Sequence, residues 1–254
     1  MISVYRGAPC QVLPNALWKT LARAQEARTS VEVVAGQVTQ LSMSDDETLY
    51  FYWHRERRPP SLLQEHLRRL RTALIHQDML AEVPLSHLTV RRPFFRYIYS
   101  EDVTPRPPPP GFRFAPVHQA NEAAAVADLI ARCYPNLRPT PDEVRGWTTH
   151  PVYDPSLWLW VIDEATGRPA GLGIAEYDAT VPEGSLEWIQ VLPEYRGRGL
   201  GRSIVTELLS RLVGRADFVT VSGEAVNGPG AGTFYRHCGF EGDDIWWLLQ
   251  DRAE

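Results

Sequence analysis

A short run of glycines between an apolar segment and an amphipathic one constrains the fold of this chain more than any other feature. Residues 185–192 are mostly apolar, which is typical of a strand buried on both faces, and Pro193 ends that strand because proline cannot donate to a sheet ladder. The sequence RGRGLG follows at residues 196–201, and apolar residues then recur at helical spacing as far as Leu212. The pattern predicts a strand, a glycine loop and a helix in direct succession.

The predicted loop has the properties of a phosphate site. The first N–H groups of a helix have no partner within the helix, and together with the helix dipole they attract anions. A Walker loop, GxxxxGK followed by Ser or Thr, is absent from the sequence, and the spacing of Gly197, Gly199 and Gly201 is GxGxG rather than the GxGxxG of dinucleotide sites. The pattern R/Q-x-x-G-x-G/A is instead matched by Arg196, Gly199 and Gly201. A tight turn that binds nothing is the alternative.

With VLPEYRG leading into it, this stretch resembles the coenzyme A loop of the GNAT superfamily of acetyl-CoA-dependent N-acetyltransferases. Residues 227–240 are similar to a second signature of that family, with Asn227 at the start and FYRHCGF at residues 234–240. One residue more than usual separates Asn227 from Tyr235. The resemblance covers residues 112–254. It implies an α/β (α+β) fold with a mixed, mostly antiparallel sheet flanked by helices.

The resemblance also implies which residues hold the cosubstrate acetyl-CoA, and it implies no metal. A backbone N–H near Val191 would bind the thioester or the pantetheine, and at least one loop arginine would pair with phosphate. The expected cofactor-binding residues lie at the end of the strand, in the loop, at the helix start and in the second signature: Val191, Leu192, Arg196, Gly197, Arg198, Gly199, Leu200, Gly201, Arg202 and Asn227.

The implied reaction is transfer of an acetyl group to a primary amine by direct attack in a ternary complex. The amine must lose a proton, the oxyanion needs donors, and the leaving thiolate benefits from an acid. Tyr235 matches the family's usual general acid, since a phenol with a pKa of about 10 suits a thiolate leaving group. Glu187 is the first candidate for the base, because strand parity places it on the same face as Val191. Glu224 and Glu176, at or near the ends of neighbouring strands, are the alternatives.

The acceptor is not identified by the sequence beyond a small-molecule or peptide amine. Aromatic and histidine side chains near the predicted first helices form either an acceptor cleft or part of the core: Tyr134, Trp147, His150, Tyr153 and Trp158. A second hypothesis for the whole chain is a non-catalytic acyl-CoA-binding or scaffold protein that retains the fold.

A proline-rich segment, TPRPPPPG, divides the chain at residues 104–111, since consecutive prolines favour an extended, stiff conformation. The predicted organisation is an N-terminal α/β domain, a linker and an acetyltransferase domain, with bounds 1–104, 105–111 and 112–254. In the last of these, further strands are predicted at 112–117, 157–163, 170–177 and 217–223, and helices at 123–133 and 141–147.

The N-terminal domain is harder to interpret. Its periodicity predicts one strand at 30–40, another at 48–54 and an amphipathic helix from residue 62 to about 79. The order of strand, basic loop and helix is the same as at 185–212, but the glycines are missing. An unrelated α/β domain is the favoured interpretation, and a degenerate GNAT-like half is the alternative.

Composition limits the partners and the compartment. The formal net charge is −5, so no basic excess points to nucleic acid as a partner. Lys19 is the only lysine, and the preference for arginine is typical of a GC-rich bacterial genome. The three cysteines are few and widely spaced, and neither a signal peptide nor a membrane-length apolar run is evident. We expect a cytoplasmic protein that does not bind membranes, with a homodimer as an open alternative.

Overall fold

The computed structural model describes residues 1–59, 67–134, 136–225 and 230–251. The helices in these ranges are α1 (Ile2–Gly7), α2 (Pro9–Val12), α3 (Leu17–Ala24), α4 (Gln119–Cys133), α5 (Pro141–Trp147), α6 (Leu200–Leu212) and α7 (Ala231–His237), with short 3₁₀ turns at Gln77–Met79, Pro155–Leu157 and Pro193–Tyr195. The strands are β1 (Arg28–Val34), β2 (Gln37–Ser44), β3 (Thr48–His54), β4 (Thr72–His76), β5 (Val90–Tyr99), β6 (Phe112–Pro116), β7 (Trp158–Asp163), β8 (Arg168–Asp178), β9 (Glu183–Val191), β10 (Phe218–Glu224) and β11 (Glu241–Gln250). None of the described helices combines the length and the apolar character needed to cross a membrane.

The chain divides into two compact units. The first unit consists of Met1–Ile98 together with Thr220–Glu254, and the second consists of Tyr99–Val219. The C-terminal segment belongs with the N-terminal one because β11 pairs antiparallel with both β4 and β5. The domain bounds predicted from the sequence differ from these units at this end of the chain, since no composition change marks the return of the chain to the first unit.

In the first unit the strand order is β1-β2-β3-β4-β11-β5-β10, with β10 contributing its residues from Thr220 onwards. The single strand predicted at 30–40 is wrong, because β1 and β2 form a hairpin there. Ala35 and Gly36 have φ values of 51° and 77°, and two left-handed residues make the two-residue turn whose twist suits a hairpin.

The helix predicted from residue 62 to about 79 is also wrong in its second half, because residues 72–76 form strand β4. Ala73 and Ile75 alternate into the core of the first unit, and the strand is held by five residue pairs with β11. The apolar residues of β4 also fit helical spacing, so the pairing of this segment with β11 determines that it forms a strand. Residues 60–66, where the predicted helix begins, lie outside the described residues.

In the second unit the strand order is β9-β8-β7-β6, and each neighbouring pair is antiparallel. The apolar strand, glycine loop and helix predicted at 185–212 are confirmed as β9, the loop and α6. Helices α4 and α5 contribute to a core with inward-facing residues of β7 and β8, whereas α6 contacts β8 and β9. Gly171 and Gly173 allow close approach of α6, since a Cβ at either position would overlap its neighbours.

The two units repeat one local architecture. Each contains three consecutive antiparallel strands, and in each the third strand carries one extra residue. In β3 the extra residue is Tyr50, between Leu49 and Phe51, and in β9 it is Glu187, between Leu186 and Trp188. This repetition favours the alternative of a degenerate second copy over an unrelated N-terminal domain.

Candidate active site

The glycine loop ends in a left-handed turn directly before α6. Gly197 and Gly199 have φ values of 76° and 83°, a backbone conformation that residues other than glycine rarely adopt. An added Cβ at Gly197 would meet no described heavy atom within 4 Å, and one at Gly199 would meet only Pro109 Cγ, at 3.9 Å. The left-handed backbone conformation therefore favours glycine at both positions. Because neither residue has a side chain, the space in front of the helix N-terminus is open.

Arg196 anchors the start of the loop. Its Nε donates to the carbonyl oxygen of Val191 at 3.2 Å, and its Nη2 donates to that of Cys133 at 3.5 Å. The next arginine, Arg198, lies 5.3 Å from the ring centroid of Tyr195. Arg196 thus caps the end of β9, and Arg198 is a second exposed source of positive charge beside the glycines.

The proline-rich segment lies against the same helix. Ser203 Oγ, in the first turn of α6, donates to the carbonyl oxygen of Pro107 at 3.4 Å, and Pro109 is the residue that approaches Gly199. Both prolines belong to the second unit. The segment predicted as a linker therefore also supports the N-terminal end of α6.

The end of β9 has one backbone N–H directed away from β8. Leu192 N–H donates to the carbonyl oxygen of Ala170 at 3.0 Å, so this amide is used within the sheet. Because hydrogen-bonded and non-hydrogen-bonded pairs alternate in an antiparallel ladder, the neighbouring pair of Val191 with Gly171 is non-hydrogen-bonded. The N–H of Val191 therefore points out of the ladder with β8, as a donor to the thioester or pantetheine must.

Glu187 lies at the irregularity of β9. The register shifts between Ile174 and Ala175 of β8, so strand alternation is interrupted at Glu187. Strand parity therefore does not place Glu187 on the face of Val191, contrary to the prediction from the sequence. A bulge re-aims its side chain, and the half-buried carboxylate of Glu187 stays a candidate base on its position in the strand alone.

The two alternative carboxylates have partners of their own. Glu176 is 5% exposed, and its Oε1 lies 3.8 Å from Nδ1 of His150. Glu224 Oε1 accepts a 2.7 Å hydrogen bond from Nε of Arg92, and this bond raises the pKa of the Arg92 guanidinium. Glu224 is therefore held in an ion pair with Arg92.

Tyr235 lies on α7, in the first unit, whereas the glycine loop and Glu187 belong to the second unit. Its half-buried ring is packed between three phenylalanines: the centroids of Phe95, Phe234 and Phe240 lie 5.9, 5.1 and 5.6 Å away. Such packing restrains the position of the phenol. Asn227, the remaining predicted cofactor-binding residue, lies outside the described residues.

Cys133 is the cysteine nearest to the loop arginines, and its thiol is neutral. Burial raises its pKa and outweighs the opposing effect of Arg196. Within the described ranges, no three His, Cys, Asp or Glu side chains form a group that could hold a metal ion.

The predicted aromatic residues of the second unit lie together: Trp158 is buried in the core, and Tyr134, Trp147 and Tyr153 are half-buried against the same cluster. Trp158 is 1% exposed, and the ring of Tyr153 packs edge-on against it with centroids 5.5 Å apart. Trp147 stacks on Trp188 with ring centroids 5.3 Å apart, and Tyr134 packs edge-on against Trp188 with centroids 6.5 Å apart. Trp188 also belongs to this cluster but was not predicted, because the cleft was expected near the first helices and Trp188 lies on β9.

Comparisons with known proteins give a family match for part of the chain. Residues 155–242 match the family model for the acetyltransferase (GNAT) domain. A comparison with curated protein sequences gives no match.

Solved structures extend the likeness to most of the chain. A GCN5-related N-acetyltransferase from Sphaerobacter thermophilus is 18% identical with a TM-score of 0.66, and the match covers 86% of this chain and 78% of that one. A GNAT-family acetyltransferase from Colwellia psychrerythraea is 13% identical with a TM-score of 0.65, covering 98% and 95%. A tandem GNAT protein from the clavulanic acid biosynthesis pathway is 15% identical with a TM-score of 0.59, covering 99% and 95%. These likenesses show the fold, and the match to the GNAT acetyltransferase family model covers residues 155–242.

Proposed function

We propose that this protein transfers an acetyl group from acetyl-CoA to a primary amine by direct attack in a ternary complex. The observation that carries the proposal is the left-handed pair Gly197 and Gly199 in front of α6, with open space where a side chain would block a phosphate. The 13 residues of α6 also supply a helix dipole aligned with that space. The GNAT domain supports acyl transfer in general, and this loop supports coenzyme A as the carrier.

In the proposed reaction each group has one task. The amine nitrogen attacks the thioester carbonyl carbon, and its proton goes to Glu187 directly or through water. The N–H of Val191 donates to the carbonyl or the pantetheine, as its direction out of the β8 ladder allows. The carbon–sulfur bond then breaks, and Tyr235 gives its proton to the departing thiolate, so the products are an amide and free coenzyme A.

The acceptor in this proposal is a small-molecule or peptide amine, and the protein acts in the cytoplasm without nucleic acid or membrane. The proposed acetyl-CoA contacts are those of the loop and strand end, together with Asn227. The open space at Gly197 and Gly199 supports the contacts of the loop. Leu192 contributes through its side chain or carbonyl, because its N–H is bonded to Ala170.

The loop assignment is tested by Gly199→Leu, with Gly167→Leu as the matched control. Gly167 also has a positive φ of 67°, and a Cβ added there would meet no described heavy atom within 4 Å, so both variants carry a similar cost of about 1–2 kcal/mol for the left-handed conformation. Calorimetric titration should show at least a tenfold rise in the acetyl-CoA dissociation constant for Gly199→Leu, about 1.4 kcal/mol. Equal affinities of the two variants would refute the assignment.

Catalysis is separated from binding by Tyr235→Phe and Glu187→Gln. Both variants should bind acetyl-CoA like the wild type, and both should release coenzyme A thiol more slowly in the presence of an accepted amine, by about 10²-fold or more. Unchanged turnover in both variants would remove these catalytic roles. Wild-type binding of acetyl-CoA without turnover on any amine of a broad panel would favour the non-catalytic, acyl-CoA-binding alternative.

A further inference from the structure

The hairpin of the first unit leaves one long strand at the edge of the sheet. β1 is the first strand in the order of that unit, and among the described residues it pairs only with β2. All seven residues of β1 are exposed, whereas the second half of β2 is buried. The outer side of β1 therefore presents a row of backbone N–H and C=O groups that no described strand covers.

Three exposed valines make this edge apolar. Val31, Val33 and Val34 are 55%, 56% and 53% exposed. Natural edge strands are commonly protected by lysine, by proline or by a bulge of their own. β1 contains neither lysine nor proline, and the extra residue of the hairpin, Thr39, lies in β2. An edge of this length and composition is typical of a strand that pairs with another chain.

The direction of the backbone groups follows from the contacts with β2. Oγ1 of Thr39 donates to the carbonyl oxygen of Glu32 at 3.4 Å, so the backbone polar groups of Glu32 face β2. The last residue of β1, which flanks the two-residue turn, has the same parity. These groups alternate in direction along an antiparallel strand, and β1 itself has no extra residue. The N–H and C=O groups of Thr29, Val31 and Val33 therefore point away from β2.

The strand is suited to antiparallel pairing with a second copy of itself. Val31 is the middle residue of β1, so a two-fold axis at Val31 matches all seven residues of both copies. Val31 then lies opposite Val31 of the second copy, and Thr29 lies opposite Val33. These are the residues whose backbone groups point outwards, so each of these pairs exchanges two hydrogen bonds.

The charges of β1 agree with this register. Glu32 lies opposite Ser30 of the second copy, whose hydroxyl can donate to the carboxylate, and Arg28 lies opposite Val34, so no like charges meet. The ion pair of Arg28 with Asp46 is not needed for the pairing and stays within the chain. An axis at Glu32 would place two carboxylates opposite each other, and an axis at Ser30 would leave the last two residues of β1 outside the pairing.

We propose that β1 pairs antiparallel with β1 of a second copy of this chain, so that the sheets of two first units continue across a two-fold axis at Val31. Val31 and Val33 of both copies then lie on one face and pack together. A pair of seven-residue strands is small beside the roughly 1,200–2,000 Å² that stable interfaces bury, so the dimer should dissociate in the micromolar range. Every residue in this argument belongs to the first unit, and the proposal does not rest on acetyl transfer.

The first test is sedimentation equilibrium of the full chain from about 1 to 100 μM, where the wild type should pass from monomer to dimer. Val31→Lys places two like charges opposite each other at the axis and should raise the dimer dissociation constant at least tenfold. Val213→Lys is the matched control, because Val213 is 59% exposed in the second unit, and it should dimerise like the wild type. A monomer throughout the range, or equal effects of the two substitutions, would overturn the proposal.

Cysteine trapping tests the register itself. In the proposed pair the Cα atoms of the two Val31 residues lie about 5.5 Å apart, within the range of a disulfide. The two Val33 residues are displaced by four positions along the strands, roughly 13 Å, which a disulfide cannot bridge. Under mild oxidation Val31→Cys should therefore form a cross-linked dimer at least tenfold faster than Val33→Cys, at a site that is equally exposed.

The wild type, with its three native cysteines, gives the background rate of this cross-linking. Non-reducing electrophoresis reads the amount of covalent dimer with time. Equal rates for Val31→Cys and Val33→Cys, or faster cross-linking of Val33→Cys, would overturn the proposal.

Discussion

Gly173→Ala should destabilise the second unit and weaken the coenzyme A site through one close contact. A Cβ at Gly173 would lie 2.5 Å from Cγ2 of Ile204 and 3.2 Å from Cδ1 of both Leu159 and Leu208. Carbon atoms pack at about 3.5–4.0 Å, so the contact with Ile204 is too close by about 1 Å. Either α6 moves away from β8 or the stiff, β-branched Ile204 leaves its rotamer.

Either response, a shift of α6 or a changed rotamer of Ile204, lowers the free energy of unfolding. Overpacking of this size typically costs about 1–3 kcal/mol, and the lower backbone entropy of unfolded alanine returns about 0.5–1 kcal/mol. We expect the free energy of unfolding to fall by about 1–2 kcal/mol in urea titration. Ile204 is in the second turn from the loop, so a shift of α6 should also weaken acetyl-CoA binding severalfold.

Two further variants identify the contact that causes the effect. Gly146→Ala in α5 is the control, because an alanine Cβ there meets no described heavy atom within 4 Å and should stabilise the helix by about 0.5–1 kcal/mol. Ile204→Leu removes Cγ2 at constant volume, so it should restore much of the stability of Gly173→Ala. Wild-type stability of Gly173→Ala, or strictly additive effects of the two substitutions, would refute the reasoning.

Two other predictions concern polar contacts. Tyr5→Phe should lower the free energy of unfolding by about 1–3 kcal/mol in urea titration, because the buried Arg96 donates a 2.7 Å hydrogen bond to the Tyr5 hydroxyl; wild-type stability would contradict it. Burial alone would raise the pKa of Asp154, but hydrogen bonds from Ser156 and Arg215 outweigh it and the pKa lies below its ordinary value. Ionised Asp154 therefore contributes to the free energy of unfolding at neutral pH, and this contribution is lost as the pH falls. Asp154→Asn should be less stable than the wild type at pH 7, and the difference in stability should shrink below about pH 4. A difference that stays constant with pH would contradict this prediction.

The sequence allowed the second unit to be predicted closely, because its elements are bounded by strong local signals. The capping box of Thr140 and Glu143 with Pro141 marks the start of α5, and the glycines before Leu200 mark the start of α6. The first unit lacks such signals. Its hairpin at Ala35 and Gly36 has no polar turn residue, and β4 could be recognised as a strand only from its pairing with a segment more than 150 residues away.

Of the candidate site, the sequence indicated the backbone of the loop but not its ligand. Gly197 and Gly199 have positive φ values and Gly201 lies within α6, whereas the binding roles of the loop and of Val191 stay predictions. The face of Glu187 could not be predicted, because one extra residue in a strand changes the alternation without a sequence signature. Trp188 was missed for another reason: it lies on β9, whereas the cleft was expected near the first helices, and its stacking on Trp147 of α5 is a tertiary contact.

The central claim is that the loop at residues 196–201 binds the pyrophosphate of acetyl-CoA, and it is tested most directly by titrating the full chain with acetyl-CoA and with S-acetylpantetheine. The second compound carries the thioester and pantetheine arm but no pyrophosphate. The account predicts a dissociation constant in the micromolar range for acetyl-CoA and at least a hundredfold weaker binding of S-acetylpantetheine, about 2.7 kcal/mol. Equal affinities, or no binding of acetyl-CoA, would contradict the account.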